Sequence, residues 1–217
     1  MLRQQFTTAF KHTASFSAHK INNVSKQTLQ KQILITATRR NYHMGNKIMS
    51  SSKTYPPPAV MGSESIMSPK AHGTSAVPVQ ENLRWKCDRD TADRICNFNR
   101  HYAEHSGYFE GVSEFLTEAK NLPATDEITF YDSNTGKPLF YAPRGRTMDQ
   151  FLKESRNHGW PSFRDQEVNW DVVRVLPNGE TVSVDGTHLG HNLPDSKGSR
   201  YCINLVCVAG RPVDGEL

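Results

Sequence analysis

Acidic residues are missing altogether from positions 1–63, which hold nine Lys or Arg. The chain carries 26 basic and 22 acidic side chains, so residues 64–217 keep 17 basic against 22 acidic, a net of −5. The formal charge of +4 therefore belongs to the start of the chain, and the remainder carries a net negative charge. That balance argues against nucleic-acid binding by that part. Cysteine is scarce, with only Cys87, Cys96, Cys202 and Cys207 at irregular spacing. A secreted disulfide framework needs more than that, and a reducing compartment fits better. No apolar run approaches the roughly 20 residues that cross a bilayer. No membrane role is expected.

What is present divides the chain in three. Residues 1–43 are rich in Arg, Lys, Ser, Thr and Gln, with Leu2, Phe6, Ala9 and Phe10 at helical spacing and Arg3 and Lys11 on other faces. That composition predicts an organelle transit peptide, and Arg39-Arg40-Asn41-Tyr42-His43 reads as a mitochondrial processing site. The expected location is the mitochondrion, with a plastid as the alternative. Residues 44–82, mostly Ser, Pro, Gly, Ala and Val and including Pro56-Pro57-Pro58, have little hydrophobic period and predict a disordered linker. Residues 83–217 remain as one folded domain, expected to be monomeric.

Within that domain, residues 84–105 predict a helix with Ala92, Ile95, Asn99 and Tyr102 along one side. A second helix is expected from Gly111 to Asn121, where Val112, Phe115, Leu116 and Ala119 make a stripe. Ile128–Tyr131 and Leu139–Tyr141 flank a polar, glycine-bearing turn and predict a β-hairpin. Thr147 fits the N-cap of a helix that Gly159 ends, which leaves Trp160 at an element boundary. Strands are expected at Val172–Leu176, Thr181–Val184 and Tyr201–Val208, the first two joined across Pro177-Asn178-Gly179-Glu180. The fold class is mainly β, an α+β domain with helices laid on antiparallel strands.

Three short stretches carry chemistry. They are Gly159-Trp160-Pro161-Ser162-Phe163, His188-Leu189-Gly190-His191 and Arg200-Tyr201-Cys202-Ile203-Asn204. On a strand, Arg200 and Asn204 share the face of Cys202, and a cationic neighbour favours the thiolate, which is the nucleophile in sulfur chemistry. In that order along the chain the three stretches resemble the methionine-R-sulfoxide reductase family, over roughly residues 128–209.

The resemblance implies two antiparallel sheets and a reaction in which Cys202 attacks the sulfur of an oxidised methionine, free or in a protein. The S–O bond breaks only when its oxygen is protonated, so an acid must stand beside the cysteine. His188 and His191 are the candidates, and Asp195, four residues after His191 as in the family, is expected to orient one of them. Arg200 and Asn204 support the thiolate. Trp160 is expected as the wall that receives the S-methyl group, with Phe163 completing the pocket. Cys202 ends as a sulfenic acid that condenses with a second thiol and is reduced again.

Many family members hold a structural zinc on two Cys-x-x-Cys pairs. The corresponding stretches here read Asp132-Ser133-Asn134-Thr135 and Val182-Ser183-Val184-Asp185, so no metal and no cofactor are expected. Asn157 stands where some members keep a resolving cysteine. Recycling is expected from an external thiol such as thioredoxin, glutaredoxin or glutathione, with Cys87 or Cys96 as a resolver within the chain. Two other readings stand beside this one. One is a reductase-like module that binds methionine sulfoxide or a small apolar group without turnover. The other takes His101-Tyr102-Ala103-Glu104-His105 as a His-x-x-Glu-His zinc hydrolase pattern on a helix.

Overall fold

The structure, a computed structural model, describes residues 53–213. The transit-peptide reading of residues 1–43 lies outside them. Among the described residues three α-helices, α1 (Arg89–Asp93), α2 (Ser113–Asn121) and α3 (Met148–His158), accompany seven strands. These are β1 (Ile128–Tyr131), β2 (Pro138–Ala142), β3 (Ser162–Phe163), β4 (Val173–Val175), β5 (Glu180–Ser183), β6 (His188–Asn192) and β7 (Tyr201–Ile203). β1 and β2 form the expected hairpin, while the other five make an antiparallel sheet in the order β3-β7-β6-β5-β4. The class, mainly β with two antiparallel sheets, is as the sequence implies. No helix among the described residues is long and apolar enough to cross a membrane.

Local chemistry explains how α3 sets up the site. The Thr147 hydroxyl accepts the Gln150 N–H at 3.2 Å while the Gln150 side-chain oxygen accepts the Thr147 N–H at 2.9 Å, a reciprocal cap that fixes where the helix starts. The helix ends on Gly159, whose φ of 86° is left-handed, and a Cβ there would stand 2.0 Å from the Ser106 hydroxyl. Trp160 leaves that turn directly. Phe151 of α3 packs with Phe130 and Phe163, and the Phe140 and Phe163 rings stack with centroids 4.3 Å apart, all four side chains being fully buried. This aromatic block ties the hairpin, α3 and β3 into one core.

Several expectations need correction. Residues 53–82, assigned to a disordered linker, pack on the domain. Tyr55, Met67, Ser75 and Val79 are buried, and Met61 bridges Val175 at the edge of the large sheet. Low hydrophobicity here reflects a segment that is held largely by backbone hydrogen bonds, such as Gly62 N–H to Val175 O at 2.9 Å. The continuous helix over 84–105 is instead a turn at Arg84–Lys86, α1, one π-turn at Arg94–Phe98, and then an irregular arm from Asn99 to Ser106. The apolar period there marks buried Ala92 and Ile95, but it cannot extend a helix beyond Asn99, whose backbone is no longer helical. β7 stops at Ile203 because Leu205–Cys207 fold into a 3₁₀ turn, and β3 and β6 were not anticipated.

Candidate active site

Cys202 sits in the middle of β7, the second strand of the large sheet. Across one edge it faces His191 of β6, and across the other Ser162 of β3, both as direct register partners. Directly opposed side chains on antiparallel strands lie within contact range. Its Sγ lies 3.8 Å from the Ser162 hydroxyl and accepts a hydrogen bond from Arg200 Nη1 at 2.5 Å. Arg200 therefore meets the cysteine on the face that alternation predicts. Among the four free thiols, Cys202 is half-buried and the other three are buried.

Simple alternation would send His188 and His191, an odd number of residues apart, to opposite faces of β6. The strand avoids this with a bulge. Thr181 pairs with Gly190 and Val182 with His188, so Leu189 is the extra residue and both imidazoles come to the same side, their centroids 5.6 Å apart. Gly190 lets β6 and β7 close together, since a Cβ on it would stand 2.0 Å from the Cys202 carbonyl oxygen.

The two histidines differ in surroundings. His188 Nδ1 lies 2.8 Å from Glu180 Oε1, and Arg100 binds the same carboxylate at 2.5–3.1 Å. Burial alone would raise the Glu180 carboxyl; the His188 and Arg100 hydrogen bonds outweigh it and hold the group down at about 2. Burial lowers the His191 imidazole, and the neighbouring His188 lowers it further. The orienting carboxylate is thus Glu180, not Asp195. Asp195 pairs instead with Arg164 at 2.8 Å and lies 3.5 Å from Arg200 Nε. Asp195 and Glu154, which come near His158, are both bound to Arg164, so their charge is already answered by a guanidinium.

A cleft of 310 Å³ opens over the cysteine, lined by Arg100, His101, Tyr102, Ala103, Trp160, His188, Gly190, His191, Leu193, Cys202 and Asn204. Trp160 is part of its wall, as expected, and its indole N–H donates to the Glu104 carbonyl at 3.1 Å. Phe163 is not in the cleft. Its ring is fully buried in the aromatic core, because β3 turns Ser162 toward Cys202 and Phe163 away. Asn204 lines the cleft with its side chain pinned, accepting the Glu104 N–H at 3.1 Å and donating to the Leu189 carbonyl at 3.0 Å.

Neither proposed resolving thiol lines the cleft. Burial pushes the Cys87 thiol up to about 12, and Cys96, fully buried, is raised by the same desolvation and hydrogen-bonds Cys207. The hydrolase pattern does not form a metal grip either. His101 and His105 lie on the irregular arm, His105 turned to the Ser106 carbonyl, and Glu104 is buried against the backbone of Leu205 and Val206.

Sequence reasoning missed Glu180 and Arg100, read His101 and Glu104 as parts of a zinc pattern, and carried Ser162 only as a member of the Gly159–Phe163 motif. Glu180 was within reach, since a hairpin closed by Asp185-Gly186 would have brought it opposite the histidines. Once a helix was assumed there, the arm's residues pointed to a metal grip and not to the cleft.

A five-stranded antiparallel sheet that offers one half-exposed thiol to two imidazoles, an indole and a guanidinium defines a cysteine-centred β-sheet domain. The chain is similar to proteins named "Peptide methionine sulfoxide reductase MsrB". It is 35% identical over 98 residues to the one from Pseudomonas putida, covering 44% of this chain and 62% of that protein. The similarity to the protein from Methylibium petroleiphilum is 32% over 119 residues, 53% of this chain and 71% of that one. To that from Pseudomonas savastanoi pv. phaseolicola it is 31% over 134 residues, 57% of this chain and 88% of that one. The chain belongs to the methionine-R-sulfoxide reductase family. It spans about three fifths of the length of the first Pseudomonas relatives. No family model matches it, and no solved structure does.

The residues at the family's zinc position do not fit that metal. Asp132 is fully buried and accepts the Thr187 hydroxyl at 2.9–3.0 Å and the Asn134 N–H at 2.8 Å, while the Ser133 hydroxyl donates to the Val206 carbonyl at 2.7 Å. Oxygen and nitrogen hydrogen bonds, without a thiolate, join the hairpin to the β5–β6 turn.

Proposed function

We propose that the domain reduces methionine R-sulfoxide to methionine with Cys202 as the nucleophile. The observation that carries this reading is the placing of Cys202 directly opposite His191 in a cleft walled by Trp160. The substrate's S-methyl group rests on the indole face through dispersion and sulfur–aromatic contact. Cys202 Sγ, its charge answered by Arg200, attacks the sulfoxide sulfur as an imidazolium of the His188–His191 pair gives a proton to the oxygen. The hydroxyl passes to Sγ, so methionine leaves as the thioether and Cys202 becomes a sulfenic acid. That acid condenses with an incoming thiol, releasing water and forming a mixed disulfide, and a second thiol then restores Cys202.

Because the other three thiols are buried, an external donor such as thioredoxin, glutaredoxin or glutathione is the favoured reductant. Tyr102 and Leu193, 41% and 48% exposed at the cleft, suit a methionine that is still part of a polypeptide. The acid-free residues 1–43 support a mitochondrial location, with a plastid as the alternative.

The test uses full-length protein, dabsylated methionine sulfoxide diastereomers and dithiothreitol, with Cys202→Ser alongside. Reduction of the R form only, lost in the variant, is the expected result. Binding of the R form without turnover by the wild type would replace the reductase reading with that of a binding module.

A further inference from the structure

Glu104, left over from the hydrolase pattern, is only 4% exposed. Two of its four hydrogen bonds reach residues that line the cleft, and the other two hold the turn that follows Asn204. Oε1 accepts the Leu205 N–H at 2.8 Å and Oε2 the Val206 N–H at 3.2 Å. Its own N–H donates to Asn204 Oδ1 at 3.1 Å, and its carbonyl accepts the Trp160 indole N–H at 3.1 Å. One residue thereby holds the substrate wall, the asparagine two positions after Cys202 and the turn that follows it. The arm that brings Arg100 and His101 to the cleft includes this residue.

We propose that Glu104 is a positioning residue for the sulfoxide reaction, a proton-responsive clamp that fixes Trp160 and Asn204 relative to Cys202. This rests on the reductase reading given above. A carboxylate can accept both the Leu205 and Val206 N–H groups as an anion. Once protonated, it must use one oxygen as a donor, and the hold on one of those amides weakens. Burial keeps the protonated form in place up to about 8, against the pull of the two backbone N–H groups. The titratable groups that face it from the neighbouring segments are Cys87, Cys96, Tyr108 and Cys207. All four are weak acids, and no salt bridge reaches Glu104 among the described residues. No fixed positive charge locks it in the ionised form, so the clamp changes grip within the range where proteins work.

The test follows tryptophan emission of the full-length protein across roughly pH 6 to 10, with Trp160→Phe as the reference that removes the contributions of Trp85 and Trp170. The difference signal is expected to show a transition near pH 8, and Glu104→Gln to lack it. In turnover of dabsylated methionine R-sulfoxide above about pH 8, where the ionised carboxylate holds both amides, Glu104→Gln is expected to lower kcat/KM about tenfold, more through kcat than KM, and to remove one ionisation from the pH profile, while below that pH the two proteins converge. A difference signal flat across the range, or the same transition in a folded Glu104→Gln, overturns the clamp. Should that variant fail to fold, the wild-type minus Trp160→Phe difference decides by itself. The emission titration needs no turnover, so an inactive wild type would count against the reductase reading and leave the clamp separately judged.

Discussion

Glu180 and His188 lie on adjacent strands with Oε1 and Nδ1 2.8 Å apart, and Arg100 grips the other side of the same carboxylate. The bond fixes which ring nitrogen of His188 faces the carboxylate and leaves the other toward the cleft.

Glu180→Gln is expected to cut the rate of sulfoxide reduction by about 10- to 100-fold, because the amide no longer selects the His188 tautomer or neutralises Arg100. Stability should respond to acid as well. The folded carboxyl is held down at about 2 against an ordinary value of 4.5, so its contribution is full above pH 4.5 and disappears as pH falls through about 2. Chemical unfolding of the wild type at a series of acid pH values should show that loss, and Glu180→Gln should show less of it.

The Arg200 bond to Cys202 predicts the thiol's reactivity. With Arg200→Met, alkylation of Cys202 by iodoacetamide at pH 7 is expected to slow about tenfold, the loss of one charge-assisted hydrogen bond. Peptide mapping by mass spectrometry should find the wild-type label on Cys202, with Cys87, Cys96 and Cys207 protected by burial. Equal labelling rates in the two proteins would remove Arg200 from the chemistry.

His191 carries a pH signature of opposite origin. Burial and His188 lower its imidazole below the ordinary 6.5, so the unfolded chain takes up a proton before the folded one does. Its contribution to stability is therefore present above pH 6.5 and is lost as pH falls below that value. The drop in Tm between about pH 7.5 and pH 5.5 should be smaller in His191→Gln than in the wild type. Turnover should also rise toward acid pH in the wild type, as the proton the reaction needs becomes available, and this rise should be blunted in the variant.

Phe163 is assigned here to the core and not to the cleft. Phe163→Ala should cost about 3–5 kcal/mol, read as a fall in Tm or in the denaturant midpoint. KM for the sulfoxide, measured at a temperature where the variant stays folded, should be close to that of the wild type. A large rise in KM with little change in Tm would return the ring to the substrate pocket.

Patterns set by a few neighbouring residues were legible in the sequence. The Thr147–Gly159 helix, the β1–β2 hairpin and the face shared by Arg200 and Cys202 all follow from caps, turns and alternation. What was not legible depends on contacts distant along the chain. The arm at Asn99–Ser106 is shaped by Asn204 and Trp160, about 100 and 56 residues further on, and nothing in its own composition reports them. Asp195 looked like the orienting acid because it lies close to His191 in sequence, yet Arg164 claims it. The bulge at Leu189, which makes an odd spacing place two imidazoles on the same side, breaks the rule by which the strand would otherwise be read.

The missing side chain at Gly190 carries a consequence for how this site can vary. Any other amino acid there would drive its first carbon into the Cys202 carbonyl oxygen, only 2.0 Å from the ideal position, and prise the two central strands apart. Such a wedge would carry the thiol away from its imidazoles while leaving every reacting group chemically whole. Alanine at this one place would thus be enough to separate the reactive groups, so the position tolerates less change than several of the polar residues that surround it.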